Sequence, residues 1–367
     1  MTLPYEPATL PLVVDYSPLV GLVGRANAAL ARYDGLLQGV VNPGVLLSPL
    51  TTREAVLSSR IEGTQATFDE VLQHEAGELQ LGEKATDIRE IQNYRSALKL
   101  AAEALADRAI SLPLVRQMHA VLMDSVRGKD KSPGEFRNDQ NWIGRPGTPM
   151  EQATYVPPNP LRMNDALLNW EHYLGVADVD PLIQAAFVHA QFELIHPFKD
   201  GNGRIGRVLI PLFLYQARAL ASPMFYLSEY LEARRDVYYD RLGAISREGD
   251  WVGWVRFFLE AVVEQAEANG RRVRDILGLY DSMKETVSKA TRSQHASAVL
   301  DALFDRPIFR SADFVERLGI NRVTALTLLR QLRETGVLVA LRESSGRRAA
   351  VLAFPALLAA AEGREVA

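Results

Sequence analysis

A chain of 367 residues exceeds the usual domain size of about 100 to 200 residues, which excludes a single small domain and predicts two or three, each with its own core. Hydrophobic residues make up 47% and charged residues 23%, a balance that excludes a disordered, collagen-like or mucin-like chain. Forty-one Lys and Arg against 45 Asp and Glu leave a net charge of -4, and there is no Cys. Bulk electrostatics therefore draws the molecule neither to nucleic acid nor to anionic membrane, and a disulfide framework, a thiolate metal site and a cysteine nucleophile are all ruled out.

The opening stretch MTLPYEPATLPLVVDYSPLV has no Lys or Arg and is broken by Pro4, Pro7, Pro11 and Pro18, so it reads as neither signal peptide nor membrane span, and a cytoplasmic location is expected. Thr51 and Glu54 stand at capping-box spacing before REAVLSSRIE, a short helix stopped by Gly63. Thr67 and Glu70 repeat the device, and Ile88 to Leu105 shows helical spacing of apolar residues. Another helix runs on from Ser111 with Pro113 in its first turn. Residues 128–160 then lose helical pattern; there, GTPMEQATYVPPNP predicts a short hairpin around Met150 to Ala153, with Thr154, Tyr155 and Val156 as its strand.

Leu182 to Ile195 is apolar nearly all round, the mark of a helix buried at the centre of a bundle, and Pro197 ends it. A second apolar helix, VLIPLFLYQARAL, restarts after a glycine cluster, with Pro211 as an early-turn or kink residue. Helices follow over Tyr230 to Leu242, Trp251 to Asn269 and Arg271 to Ala290, the last a more charged connector. The tail changes grammar: helices at Ala296 to Phe304, Ala312 to Leu318 and Arg322 to Glu334 precede VLVALR and AAVLAF, which flank the turn SSGR. That is the order of a winged-helix domain. The chain is thus expected to be mainly α, divided into an N-terminal helical region (1–110), a catalytic core (111–265), a helical connector (266–292) and a winged helix (293–358).

The two central helices bracket HPFKDGNGRIGR, residues 196–207. Gly201, Gly203 and Gly206 satisfy a dinucleotide-binding pattern, but a buried helix, not a strand, precedes them. A kinase loop is excluded by the lack of its partner motifs, and a Walker A loop by Arg207 and Val208 where Lys and Ser or Thr belong. What remains is a glycine-rich helix start, where the free N–H groups of Gly201 to Arg204 and the helix dipole favour an anion. Arg204 and Arg207 share one side of that helix and can grip phosphate oxygens. Asp200 is a hard oxygen ligand suited to Mg²⁺, and His196 titrates near neutrality, as a base for an incoming hydroxyl should.

The string resembles the Fic family signature H-x-F-x-(D/E)-G-N-G-R-x-x-R at every defined position: His196, Phe198, Asp200, Gly201, Asn202, Gly203, Arg204 and Arg207. The resemblance implies a Fic-fold helical bundle with a small β-hairpin flap, and transfer of AMP from ATP to a Ser, Thr or Tyr hydroxyl of a target protein or of the chain itself. It implies that His196 deprotonates the hydroxyl, Asp200 holds Mg²⁺, Asn202 and the loop amides position the α-phosphate, and Arg204 and Arg207 hold the β- and γ-phosphates, so that Gly201 to Arg207, with Ile205 and Gly206, line the nucleotide. Tyr238 and Tyr239 resemble the family position near the adenine, with core packing at least as good a reading for one of them. The 154–156 segment resembles the flap that docks a target peptide by strand addition. Ser58-Ser59-Arg60-Ile61-Glu62-Gly63 resembles the family's inhibitory motif, whose Glu pairs with the second signature Arg, here Arg207, with Ser58 steadying the carboxylate.

In the tail, Arg322, Arg330, Arg333, Arg347 and Arg348 are candidates for contact with DNA or a protein partner. A homodimer is a further candidate, and no membrane partner is expected. Three rivals to AMP transfer stay open: removal of AMP from a modified protein, transfer of another nucleotide by the same site, and an ATP-responsive DNA-binding regulator.

Overall fold

A computed structural model describes the chain except residues 1, 2, 41, 79, 126, 146, 347 and 365–367. The chain forms two compact units that interleave in sequence. The first takes the chain up to Asp34, Leu57–Thr64 and Arg89–Glu267; the second takes Gly35–Val56, Gln65–Ile88 and Ala268 onward.

In chain order the helices begin with α1 (Val20–Gln38), α2 (Pro43–Leu46), α3 (Ser48–Ile61), α4 (Phe68–Glu75), α5 (Glu83–Ala104) and α6 (Leu112–Leu122). Helix α3 starts three residues before the expected cap at Thr51, because Pro49 in the first turn lacks an N–H that would have gone unsatisfied there anyway. The capping box at Thr67 forms as expected, with Glu70 N donating to Thr67 Oγ1 at 3.3 Å and Thr67 N donating to Glu70 Oε2 at 3.0 Å.

The first unit is organised around α8 (Pro181–Ile195) and α9 (Asn202–Gln216), which pack on each other, with α7 (Pro160–Tyr173) against α8 and α6 against α9. Asp180 caps α8, accepting from Leu182 N at 2.8 Å, with Pro181 next to it. Buried Trp170 and Trp254 donate their indole N–H groups to the carbonyls of Val188 and Ala186, which holds α8 from two sides. After α10 (Ser228–Ala233) and α11 (Arg235–Glu248), the two helices expected on either side of Gly270 form one continuous helix, α12 (Trp251–Thr291). A lone glycine in a long helix costs about 1 kcal/mol against Ala and does not break it.

In the second unit, α13 (Ala296–Asp305), β1 (Ile308–Arg310), α14 (Ser311–Leu318), α15 (Arg322–Glu334), β2 (Val339–Arg342), β3 (Val351–Ala353) and α16 (Pro355–Glu362) follow in turn. The strands make an antiparallel sheet in the order β1-β3-β2. Strand β1 went unread in the sequence because three residues carry too little alternation to register. Phe68 and Leu72 from α4, with Ala76 just after it, complete a core with Ile308, Val351, Ala353 and Ala361. Among the described residues no helix is long and apolar enough to cross a membrane.

Candidate active site

Helix α8 ends at His196, whose φ of 50° turns the chain left-handed, and α9 begins behind Gly201, at φ 76°. Both turns are tight. Side chains hold the loop between them on every side. Asn202, buried, accepts from Phe198 N at 2.8 Å and donates to Phe198 O at 2.9 Å. Its amide thereby ties the loop to the start of α9, the place where the resemblance implies that it positions the α-phosphate. Gly201 N is likewise taken, by Asp200 Oδ1 at 2.6 Å. The cradle therefore consists of the next amides, those of Asn202, Gly203 and Arg204, at the positive end of α9. Ile205 is buried in the core and Gly206 lies under Glu193.

Sequence reasoning passed over the residues that hold this loop. His119 stacks on Phe198 with ring centroids 3.7 Å apart, accepts Gly134 N at Nδ1 (2.9 Å) and so donates from Nε2 to Asp200 O (3.0 Å). Arg137, 3% exposed, donates to the carbonyls of His196 (2.9 Å), Asp139 (3.0 Å) and Pro158 (2.5 Å). Its cation thus sits at the C-terminal end of α8, where the helix dipole favours it. Asn141 adds a bond to Phe198 O at 3.2 Å. The stretch GEFRNDQN carries Arg137 and Asn141, but only the fold shows that its arginine turns inward.

His196 has its Nδ1 3.3 Å from Glu193 O, which leaves Nε2 for chemistry. Burial lowers its pKa to about 4, below the near-neutral titration expected from its residue type, so the imidazole is neutral at pH 7. Asp200 is half exposed, with its Oδ1 3.6 Å from Arg204 Nη2. Among the described residues no three His, Cys, Asp or Glu converge on a metal position. A single carboxylate at that position fits Mg²⁺ where phosphates and water supply the rest of the shell.

The two arginines differ. Arg204, its side chain 6% exposed, pairs with Glu90 Oε2 at 3.3 Å. Arg207, its side chain 2% exposed, donates from Nε to Ser58 Oγ (2.8 Å) and from Nη2 to Ser58 O (2.9 Å) and Glu62 Oε1 (2.6 Å). Ser58 therefore steadies the guanidinium, not the carboxylate that sequence reasoning assigned to it. Glu62 lies one residue beyond the end of α3, in the turn closed by the bond from Gly63 N to Arg60 O (2.9 Å). Burial works against its charge, but the Arg207 guanidinium, by charge and hydrogen bond, outweighs it, and the pKa is lowered. On Arg207, too, burial opposes the charge and Glu62 overcomes it, raising the pKa.

Tyr238 is fully buried and its hydroxyl meets His189 Nε2 at 2.9 Å, so of the two tyrosines it is the core one; Tyr239 is 41% exposed. In place of the expected hairpin, the described residues between 128 and 160 hold one antiparallel bridge, Ile143 with Tyr155, and two short 3₁₀ turns, at Lys129–Lys131 and Met150–Gln152. Pro149, Pro157, Pro158 and Pro160, at its two ends, leave few N–H donors for a longer ladder. Thr154 is exposed, the Tyr155 hydroxyl donates to Leu194 O (2.5 Å), and buried Val156 accepts Tyr5 N (2.8 Å). Trp142 and Ile143, 44% and 43% exposed, are apolar side chains that this segment presents. In the second unit Arg322, Arg330, Arg333 and Arg348 are all exposed, Arg330 beside Glu334 (3.8 Å) and Arg333 paired with Glu343. Arg347 lies outside the described residues.

Buried arginines, the free amides of a helix start and a histidine thus stand around one loop, groups of the kind that handle phosphate. The family model described as Fic/DOC family N-terminal matches residues 20–103, and that described as Fic/DOC family matches residues 109–214. Together they take in more than half of the chain, which belongs to the Fic/DOC family. An Aquifex aeolicus (strain VF5) protein named as a probable protein adenylyltransferase is 27% identical over 199 residues, 52% of this chain and 56% of that protein. Protein adenylyltransferase Fic of Aedes aegypti is 28% identical over 187 residues, 49% of this chain but 33% of that protein. The chain thus spans about half or less of these curated relatives. A crystal structure of a Fic family protein from Desulfovibrio desulfuricans G20 superposes with a TM-score of 0.60 at 22% identity, over 94% of this chain and 97% of that one. Fic-1 from C. elegans gives 0.54 at 21% identity over 71% and 74%. These two show the fold.

Proposed function

We propose that the chain is a protein adenylyltransferase held inactive by Glu62. The observation that carries this reading is the bond from Arg207 Nη2 to Glu62 Oε1 at 2.6 Å, beside the amide cradle at the start of α9. An arginine so held is withheld from a triphosphate, and ATP then binds weakly or in an unproductive pose. With Glu62 withdrawn, Arg207 takes the terminal phosphate and the amides of Asn202 to Arg204 take the phosphate next to the reacting one. His196 Nε2 accepts the proton of the target hydroxyl as its oxygen bonds to the α-phosphorus, and pyrophosphate leaves with the electrons of the broken bond. Most of the acceleration comes from position and charge neutralisation. Asp200 would hold Mg²⁺, which neutralises phosphate charge when bound. The second unit, read as a winged helix, supplies a surface for recruitment of a partner.

The test incubates wild type, Glu62→Gly and His196→Ala with Mg²⁺ and ATP labelled at the α or the γ phosphate, alone and in lysate. Label from the α position on protein, strongest in Glu62→Gly and absent in His196→Ala, is the expected result. Label from the γ position alone means phosphorylation and overturns the reading.

A further inference from the structure

Glu193 stands on α8 one turn before His196, and no step of the transfer uses its side chain. Its Oε1 is sealed from solvent and has no hydrogen-bond partner among the described residues. The same atom lies so close over Gly206 that a Cβ at 206 would overlap it, so the glycine is what gives the carboxyl its place. An unsatisfied buried polar atom costs about 1–3 kcal/mol, and its presence calls for a physical explanation.

The neighbours are already engaged. His189 lies on the same helix, and its ring joins Gly206 O (3.0 Å) to the Tyr238 hydroxyl (2.9 Å). Arg207 on α9 gives Nε and Nη2 to Ser58 and Glu62. From α11, Tyr238 and Tyr239 face the same cluster, and Glu62 closes it from the end of α3. We propose that Glu193 is a second acid facing Arg207, a positioning residue that sets how freely the guanidinium is offered to a polyphosphate. As a neutral acid it leaves Arg207 paired with Glu62, so departure of Glu62 frees the full positive charge for phosphate. As an anion it takes the place that Glu62 vacates and competes with the phosphate.

The charges of the cluster let this be read out. Burial raises Glu193 to about 8, against the opposing pull of Arg207 and with the help of Glu62. His189 is lowered to about 3 and His196 to about 4, both chiefly by burial, so both are neutral at pH 7. Glu62 is lowered and stays ionised, while Tyr238 and Tyr239 are raised by burial and stay neutral. Of these groups Glu193 is the one that changes charge between about pH 6.5 and 9.

The inference rests on the polyphosphate reading of the site, so the experiment measures ATP binding, not transfer. Titration calorimetry with Mg²⁺ and ATP on Glu62→Gly, across about pH 5 to 9 because loss of Glu62 also removes its raising effect on Glu193, should show the dissociation constant rising by about tenfold, equivalent to about 1.4 kcal/mol. In Glu62→Gly with Glu193→Gln the rise should stay under about twofold. An equal rise in both proteins overturns the role of Glu193 while leaving the nucleotide reading intact. No binding in either protein at any pH removes both.

A second readout needs no ligand. An acid whose folded pKa is raised from 4.5 to about 8 lowers stability as pH climbs between those values, because the folded state holds a proton that the unfolded state has lost. Denaturant midpoints of the full chain should therefore fall over that window more steeply in the wild type than in Glu193→Gln, whose side chain does not titrate. Parallel curves count against the proposal.

Discussion

Glu62 sets its carboxylate directly over Gly203, so that a Cβ at 203 would run into Oε1. The second glycine of the cluster is thus as much a part of the Glu62–Arg207 pair as either charged residue. The atom in the way is the end of a flexible side chain, so a methyl group at 203 would push Glu62 aside rather than move backbone. Gly203→Ala should destabilise the wild-type chain by about 1–3 kcal/mol, the usual range for overpacking. In a Glu62→Gly background most of that loss should vanish, because the obstructing carboxylate is gone. A double-mutant cycle of denaturant midpoints measures this coupling; additive losses would mean that the crowding seen here is relieved without displacing the acid.

Removing Glu62 has a separate consequence for ligand affinity. A charge-assisted hydrogen bond contributes about 1.5–3 kcal/mol, so freeing Arg207 from it should tighten ATP binding by roughly 10- to 100-fold. Calorimetry on Glu62→Gly should register this gain, and Arg207→Ala placed on top of Glu62→Gly should lose it. Gain of transfer without gain of affinity would instead locate the inhibitory effect of Glu62 in the pose of the nucleotide.

The pH dependence of His196 follows from its burial. A base with an ordinary pKa of 6.5 that is lowered to about 4 remains unprotonated well below neutrality. Its contribution to the rate therefore falls away only as pH drops toward about 4. With Glu62→Gly as the active form, the acid limb of kcat/KM for AMP transfer should lie near about pH 4 to 5. A limb at about 6.5 would show that the imidazole is solvated when it reacts.

The candidate site was legible in the sequence where one residue type answers to one demand. His196, Asp200, Gly203 and Arg207 stand in a local string, and Glu62 carries its own helix-end context. What escaped was set by contacts distant in sequence. Arg137 and His119 reach the loop from residues far back along the chain, and nothing in their own neighbourhoods marks them as inward-facing. The Asn202 side chain was assigned to phosphate because its type suits that task, and its bonds to both backbone groups of Phe198, one turn back, were not legible. Burial separated Tyr238 from Tyr239, adjacent residues of one type whose difference in exposure depends on the turn of α11. The helices of the bundle were readable from apolar spacing, but their ends were not: at α3 a proline governs the start, and α12 continues through a glycine that looked like a boundary.

Arg137 offers the sharpest test of what holds the catalytic loop. Its guanidinium donates to the carbonyls of His196, Asp139 and Pro158, and its backbone N donates to Pro197 O at 2.9 Å. Burial lowers its pKa to about 10, which still leaves it charged at pH 7. Arg137→Ala would strand several of those carbonyls, each at about 1–3 kcal/mol where no water reaches it, for a loss of more than about 3 kcal/mol in all. Arg137→Lys keeps the charge and three donors, but they radiate from one nitrogen and cannot reproduce the spread of Nε, Nη1 and Nη2 across three carbonyls, so it should recover only part of the loss. In the Glu62→Gly protein, ATP affinity should change little in Arg137→Lys, since Arg137 bonds to the His196 end of the loop and not to the α9 amides, while kcat falls because His196 loses its fixed carbonyl. Transfer kinetics set beside calorimetry separate these effects. Equal loss of affinity and of kcat would instead mean that Arg137 supports the whole loop, cradle included, and not the histidine end of it alone.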